Sequence, residues 1–257
     1  MKNFVVAIVC AGALSAGVVS AAPLQGTFAI NGGAGNPVRV GADWIDFAPF
    51  NYPAPGSGSF VTTGGTIDFG FPPTTGAIAD LIALGVGSIT PVQNWLEFSN
   101  HPEWNFVLTT IFPGVGIPEG CDATVTRPEV PCTPSPASPF TLTNIREAAG
   151  GFPPATSVSM TVAGAVFNGL GERSIFTLTF TSQLDNLSAL GALQQIAGDD
   201  ELNYVQSSWS AEGTVIPAPE GGEQENPIPE PGSLVLLGLA LSATGVAVRR
   251  RPGVAAR

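Results

Sequence analysis

The segment that decides the fold is Ile175–Thr181, which reads Ile-Phe-Thr-Leu-Thr-Phe-Thr. Its large apolar side chains, Phe176, Leu178 and Phe180, alternate with threonines. Because successive side chains of a strand point to opposite faces of a sheet, this alternation predicts a half-buried antiparallel strand. Ser157–Val162 (Ser-Val-Ser-Met-Thr-Val) has the same period of two and predicts a second strand.

Further short runs of β-branched and aromatic residues predict more strands. They are Thr27–Ile30, Val38–Phe47, Ser59–Thr63, Thr66–Phe69, Trp95–Phe98, Trp104–Phe112, Phe140–Ile145 and Val205–Val215. Turns are predicted at Asn31-Gly32-Gly33, Thr63-Gly64-Gly65, Gly150-Gly151 and Asn168-Gly169. The last of these lies between two strands and predicts a hairpin whose loop exceeds two residues.

One helix is predicted at Leu187–Ala197, after a cap at Asp185 or Asn186. Its expected buried face consists of Leu187, Leu190, Leu193 and Ala197. About ten short strands and one helix predict a mainly β body, an antiparallel β-sandwich or jelly-roll-like domain.

Composition and charge narrow the function classes. The 257 residues include 32 Gly and 24 Pro, a content that argues against a helical bundle. Lys2 is the only lysine, and four of the eight arginines lie in the last nine residues. Without the signal peptide and the tail, 4 Arg face 19 Asp and Glu, a net charge near −15. Such a chain is repelled by phosphate backbones, so nucleic acid is not an expected partner.

The N-terminus has the three parts of a secretion signal. Lys2 supplies the positive charge, Phe4–Val19 is apolar and uncharged, and Val19-Ser20-Ala21 offers the small residues that signal peptidase requires. Cleavage is therefore predicted between Ala21 and Ala22. A retained membrane anchor is the alternative.

Two of the three cysteines, Cys121 and Cys132, would remain after export, because Cys10 lies in the signal. They flank a short loop, and in an oxidising compartment such a pair predicts a disulfide. No further Cys exists and His101 is the only His, so a zinc-type metal site is not expected.

The C-terminus has the arrangement of a stop-transfer segment. Pro229-Glu230-Pro231-Gly232 precede an uncharged apolar stretch, Ser233–Val248, and Arg249-Arg250-Arg251 follow it. The arginines would stay in the cytoplasm by the positive-inside rule. The predicted layout is a signal peptide at 1–21, a body at 22–216, an acidic Pro- and Gly-rich linker at 217–228, and a tail at 229–257 with a transmembrane stretch at 233–248 and a basic end at 249–257.

This tail resembles the PEP-CTERM sorting tail, also catalogued as the C-terminal domain of ice-binding-type proteins. The resemblance implies export across the inner membrane of a Gram-negative bacterium and processing by an exosortase. It also implies that the tail holds the protein in the inner membrane transiently, and that the processed protein reaches the cell surface or the extracellular matrix. It covers about 25 of the 257 residues and says nothing about the chemistry of the body.

No catalytic residue is predicted in the body. A hydrolase of the Ser or Cys type needs a base beside its nucleophile, and His101 is followed by Pro102 in a predicted loop. Carboxylate pairs could cleave glycosides, and two pairs are close in sequence. They are Asp43 with Asp46 and Glu97 with Glu103.

Two further features have open interpretations. Asp199-Asp200-Glu201 is a loose candidate Ca²⁺ site, with a solvated acidic turn as the favoured alternative. Tryptophans could stack on sugar rings if exposed, whereas burial in the core is the favoured interpretation. There are four of them, Trp44, Trp95, Trp104 and Trp209.

The sequence therefore predicts an exported envelope or matrix protein with a non-catalytic body and no cofactor. Its expected partners are signal peptidase, an exosortase-type enzyme and, as a candidate, exopolysaccharide. The alternatives are a secreted carbohydrate-active enzyme and a permanently anchored periplasmic protein.

Overall fold

The computed structural model describes residues 22–33, 35–50, 56–70, 74–118, 121, 130–146, 153–197 and 202–219. Contacts divide the chain into one unit ending at Ala218 and another beginning at Pro219. All the elements below belong to the first unit. The predicted signal peptide, residues 220–228 of the linker, the sorting tail, the Gly150-Gly151 turn and the acidic turn at 199–201 lie outside the described residues.

The described residues form fourteen strands, one 3-10 helix (Ile67–Phe69) and one α-helix, α1 (Ala189–Ile196). The strands are β1 (Gly26–Asn31), β2 (Val38–Val40), β3 (Ile45–Phe47), β4 (Ser57–Gly65), β5 (Thr75–Ala79), β6 (Gly87–Val92), β7 (Leu96–Phe98), β8 (Asn105–Ile111), β9 (Pro131–Cys132), β10 (Thr141–Arg146), β11 (Ala155–Phe167), β12 (Arg173–Asp185), β13 (Val205–Ser207) and β14 (Trp209–Pro217).

Eleven strands form one antiparallel sheet, nine of them in the order β6-β8-β11-β12-β14-β1-β4-β5-β7 and two, β10 and β9, off this path. β11 pairs with β12 along its whole length, and its other edge is shared between β8 and β10, the latter also pairing with β9. The sheet curls so that the segment before β7 reaches β8, where the Trp95 backbone N–H donates to the Phe106 carbonyl over 2.8 Å. The mainly β class with one short helix is confirmed, whereas a sandwich or jelly-roll arrangement is not.

A second, three-stranded sheet has the order β13-β2-β3. It is joined to the chain beyond β5 by a bridge between Ile45 and Leu81. The predicted strand Val38–Phe47 is therefore two short strands with a turn at 41–44, and the predicted strand Val205–Val215 breaks at Ser208 into β13 and β14. The strands β2, β3 and β13 pair with one another in the small sheet. This pairing joins distant segments, so the local sequence pattern does not reveal it.

The core lies inside the curl of the large sheet and is rich in aromatic rings. Phe176, Leu178 and Phe180 of β12 point inward as predicted. The indole of Trp95 stacks on Phe176 with a centroid distance of 6.1 Å, and Phe28 packs edge-on against Phe106 at 6.1 Å. Burial of these inward faces is the main favourable term for the fold.

The predicted strand Thr66–Phe69 and the predicted inward face of the helix are wrong. Thr66–Phe69 is a 3-10 turn, because Ile67 has φ 55° and the chain bends there to bring the Phe69 ring against Phe28. The buried residues of α1 are Ala189 and Ala192, and Leu187 and Leu193 are only partly buried. The helix begins after Ser188, whose Oγ accepts from the Gly191 N–H over 3.1 Å, so its inward face differs from the predicted one.

Three strands were not predicted, namely β5, β6 and β9. They are short and contain Gly, Pro or Ala, which carry little strand signal of their own. Thr63-Gly64-Gly65, predicted as a turn, lies within β4. The hairpin at Asn168 is confirmed. Oδ1 of the Asn168 side chain accepts hydrogen bonds from the N–H groups of Leu170 and Glu172.

Candidate functional site

A groove of about 910 Å³ lies on the outer face of the large sheet. Its floor is formed by β12 and β14, and it crosses from β10 and β11 on one side to β1 on the other. The described lining residues are Asn31, Gly32, Gly33, Gly35, Asn36, Pro37, Ile145, Ser157, Thr181, Ser182, Gln183, Ser208, Trp209 and Ser210.

Strand register places the polar side chains of the groove in one row. Thr181 of β12 is paired with Ser210 of β14, which is paired with Asn31 of β1. The hydroxyls of Thr181 and Ser210 are 2.9 Å apart. Because these positions alternate with buried apolar ones, the fold that fills the core also lines the groove with hydroxyl and amide groups.

The loop after β1 forms one wall of the groove. Asn31 Oδ1 accepts from the Gly33 N–H over 2.8 Å, and Asn36 Nδ2 donates to Ser59 Oγ over 3.0 Å. A Cβ at Gly32 would lie 2.5 Å from Nε1 of Trp209, so only glycine lets the loop pack on this indole. The turn predicted at Asn31-Gly32-Gly33 is thus confirmed and borders the groove.

A second hollow of about 580 Å³ adjoins the groove on the same face. Its central row is one step further along the strands, where Thr179, Glu212, Ala29 and Gly64 are paired in sequence across β12, β14, β1 and β4. The remaining described lining residues are Thr27, Phe28, Gly65, Gly213 and Thr214. Small side chains at Ala29 and Gly64 leave this part of the sheet open.

The two hollows carry little charge. Among their described lining residues, Glu212 is the only charged side chain, and none is cationic. Hydroxyls and amides both donate and accept hydrogen bonds, so this surface suits ligands that are themselves polar and uncharged. Sequence reasoning missed these residues, although the Thr and Ser positions of the alternating strands were the available signal.

The four tryptophans are buried, with exposed fractions of 0–7%. The core interpretation is confirmed for Trp44, Trp95, Trp104 and Trp209, and the alternative of exposed sugar-stacking rings is wrong. Trp209 only borders the groove, with its ring held between Phe47 and Phe180 at 5.1 and 5.8 Å.

His101 lies in the turn between β7 and β8. Its ring stacks on Trp104 at a centroid distance of 3.8 Å, and Nδ1 is 3.0 Å from Oε1 of Glu103. The hydrogen bond from His101 lowers the pKa of the exposed Glu103 carboxyl. None of these residues lines the groove, and Glu97 is exposed on β7.

An acidic pair, the buried Asp46 of β3 and the partly buried Asp80, lies beside the small sheet instead. Asp46 is 1% exposed, while Asp43 is exposed in the preceding turn. Asp80 Oδ1 accepts from the Phe47 N–H over 2.9 Å. Burial, together with the nearby charge of Asp46, raises the pKa of Asp80 to about 6 despite its backbone hydrogen bonds. These carboxyl groups belong to the packing between the two sheets.

The structure joins Cys121 and Cys132 in a disulfide, with Cα atoms 5.4 Å apart. No three His, Cys, Asp or Glu side chains among the described residues are grouped so as to hold a metal ion. The Ca²⁺ candidate Asp199-Asp200-Glu201 lies outside the described residues. Within the part of the chain that the structure describes, no helix has the length and apolar character needed to span a membrane.

Comparison with known proteins identifies the C-terminus and finds no match for the body. No curated protein and no solved structure matches the chain significantly. A family model described as the PEP-CTERM protein-sorting motif matches residues 227–251. This range contains Pro229-Glu230-Pro231-Gly232, the apolar stretch 233–248 and the arginine cluster Arg249, Arg250 and Arg251. The chain therefore ends in a PEP-CTERM sorting motif, which implies an exported protein sorted through the membrane by an exosortase-type enzyme.

Proposed function

We propose that the body is a non-catalytic, structural or adhesive component that associates with exopolysaccharide at the cell surface or in the extracellular matrix. Signal peptidase would release it between Ala21 and Ala22 after export across the inner membrane of a Gram-negative bacterium. The tail would hold it in that membrane until an exosortase-type enzyme processes it. Cofactors and nucleic acid have no part in this function.

The observation that carries this proposal is the groove on β12 and β14, which offers hydroxyl and amide groups and almost no charge. A glycan presents many hydroxyls and few charges, so side chains that donate and accept equally well are the appropriate partners. The overall acidity of the chain supports the same conclusion, because it repels anionic lipid and nucleic acid.

The alternative of a carbohydrate-active enzyme needs two carboxyl groups facing each other across the substrate, about 5–10 Å apart. Glu212 is the one carboxylate among the described residues that line either hollow. Asp46 is buried, and Asp80 accepts a hydrogen bond from the Phe47 N–H. Glu103 is hydrogen-bonded to His101. The described groove therefore supports binding better than hydrolysis.

The experiment uses the protein recovered from surface, matrix and membrane fractions of its own host. Intact-mass spectrometry should find a form that begins near Ala22 and ends close to Pro229–Gly232 outside the inner membrane. That form should co-sediment with the host's matrix polysaccharide and release no sugar from a panel of glycosides. A form reaching Arg257 in the inner membrane would indicate a permanently anchored protein. Failure to co-sediment, together with unchanged biofilm in a deletion strain, would overturn the matrix role.

A further inference from the structure

We infer that the two hollows form one continuous trough that holds an extended neutral glycan chain rather than a single sugar. This inference rests on the proposed association with polysaccharide and names the site and the ligand class. The trough is defined by the row of Thr181, Ser210 and Asn31 and by the next row of Thr179, Glu212, Ala29 and Gly64.

The continuity of the trough follows from the register. Ser210 lines the groove and Glu212 lines the second hollow, and these are consecutive outward positions of β14. Consecutive outward positions are about 6.8 Å apart along a strand. The rows are therefore neighbours, and a ligand bound in one hollow extends directly into the other.

Gly64 indicates that the space is kept open. A Cβ at this position would have no neighbouring atom within 4 Å among the described residues, and its φ lies outside the left-handed region that favours glycine. Neither packing nor backbone conformation requires glycine here. A glycine inside a strand is often found where a ligand approaches the backbone closely, and Gly64 faces the second hollow.

A peptide is a poor occupant of this trough. Extended peptides usually bind a sheet by pairing with a free strand edge. The strands β12, β14, β1 and β4 are each paired on both sides, so their backbone groups are already used. Recognition falls to side-chain hydroxyl and amide groups, which suits a chain of hydroxylated rings.

Charge selects a neutral chain over an acidic one. Glu212 lies in the middle of the trough, and no described lining residue is a cation that could pair with a uronate or sulfate group. An acidic polymer would also be repelled by the net negative charge of the protein. The Glu212 carboxylate can accept hydrogen bonds from the hydroxyls of a neutral sugar.

The points where the chain enters and leaves the body are distant from the groove. At the start of the described chain, Asn168 Nδ2 donates a hydrogen bond to the Ala22 carbonyl, and Ser174 Oγ donates to the Leu24 carbonyl. At its end, the Ala218 N–H donates to the Arg173 carbonyl. From Ser174 to Thr181 of β12 is roughly 24 Å at 3.4 Å per residue. The described chain after β14 therefore leaves from the end of the strands opposite the groove.

The test separates the host's matrix polysaccharide into neutral and acidic fractions by anion exchange and titrates each against the exported protein. Wild type should bind the neutral fraction and not the acidic one.

Gly64→Trp, which fills the second hollow, should weaken this binding about tenfold or more, equivalent to about 1.4 kcal/mol. Gly85→Trp is the matched control, since its Cβ also has open space and Gly85 is not a trough residue. It should bind as wild type does.

Ser210→Gln, at an exposed position beside Thr181, is a second variant if Gly64→Trp lowers the melting temperature. It should also weaken binding. Binding to the acidic fraction alone, or equal affinity for wild type and both trough variants, would overturn the trough while leaving the matrix role intact. Binding of wild type to neither fraction would overturn both.

Discussion

The side-chain Oδ1 of Asn144 accepts a hydrogen bond from the Ala189 backbone N–H over 2.8 Å, although 45 residues separate them. Oγ1 of the fully buried Thr156 lies 2.8 Å from the same Oδ1 and 2.9 Å from the Leu187 carbonyl. Ala189 is the first residue of α1, so its N–H has no partner within the helix. Asn144 thus attaches the helix to β10 and β11.

Asn144→Ala should lower the free energy of unfolding by about 2 kcal/mol, because it leaves the buried Ala189 N–H without an acceptor. Urea denaturation of the exported protein measures the change. Asn203→Ala is a suitable control, as Asn203 is half-buried with no side-chain hydrogen bond among the described residues. Equal destabilisation by the two substitutions would show that the contact with α1 contributes little.

Asp80 should make stability depend on pH. Its pKa is raised from 3.8 to about 6, so the folded protein holds a proton that the unfolded chain has lost between these values. Stability should therefore fall as the pH rises from about 4 to 6 and change little above that. The expected loss is about 1–2 kcal/mol once partial exposure of the carboxyl is discounted.

Asp80→Asn keeps an oxygen acceptor for the Phe47 N–H and cannot ionise. The variant should lose this component of the pH dependence and gain stability relative to wild type at pH 7. Melting temperatures of both proteins, recorded from pH 4 to pH 8, provide the comparison. Parallel curves for the two proteins would contradict the assignment to Asp80.

Two glycines in neighbouring strands should respond differently to alanine. A Cβ at Gly76 of β5 would lie 2.2 Å from both the Glu97 carbonyl oxygen and the Phe60 ring. Gly76→Ala should therefore cost about 3 kcal/mol through overpacking. Gly64→Ala should be neutral or slightly stabilising, because it reduces the freedom of the unfolded chain without a clash. Thermal unfolding of both variants measures this, and a large cost at Gly64 would mean that the trough is not open.

The arginine cluster should be required for sorting. Replacement of Arg249, Arg250 and Arg251 by Gln removes the charges that, by the positive-inside rule, are expected to keep the end of the tail in the cytoplasm. Membrane retention and delivery to the surface should both decrease, as measured by fractionation and immunoblotting. A Lys triple replacement preserves the charge and should sort normally. Normal localisation of the Gln variant would count against the role of this cluster.

Several features of the fold could be read directly from the sequence. The alternation in Ile175–Thr181 correctly predicted which face of β12 is buried. The Asn168 hairpin was also predictable, because the turn conformation depends on the asparagine side chain and on Gly171, which has φ 83°. These features depend on a few neighbouring residues, so their signal is local.

Other features depend on distant partners. Nothing within Val38–Phe47 shows that it folds back on itself. The partner that pairs with β2 is β13, which lies more than 160 residues later in the sequence. The 3-10 turn at Ile67–Phe69 forms where Phe69 can reach Phe28. The start of α1 likewise depends on a distant partner, since the Asn144 side chain accepts from the N–H of the buried Ala189.

The sequence by itself determined the β class, the paired cysteines and the sorting motif at 227–251, since each is encoded by the order of nearby residues. Only the tertiary structure decided how the strands curl into one sheet and which outward residues become neighbours. Thr181, Ser210 and Asn31 are far apart in the chain and meet because β12, β14 and β1 pair in that order. Register is a property of strand pairing across the whole sheet, so the trough appears only when the sheet has formed.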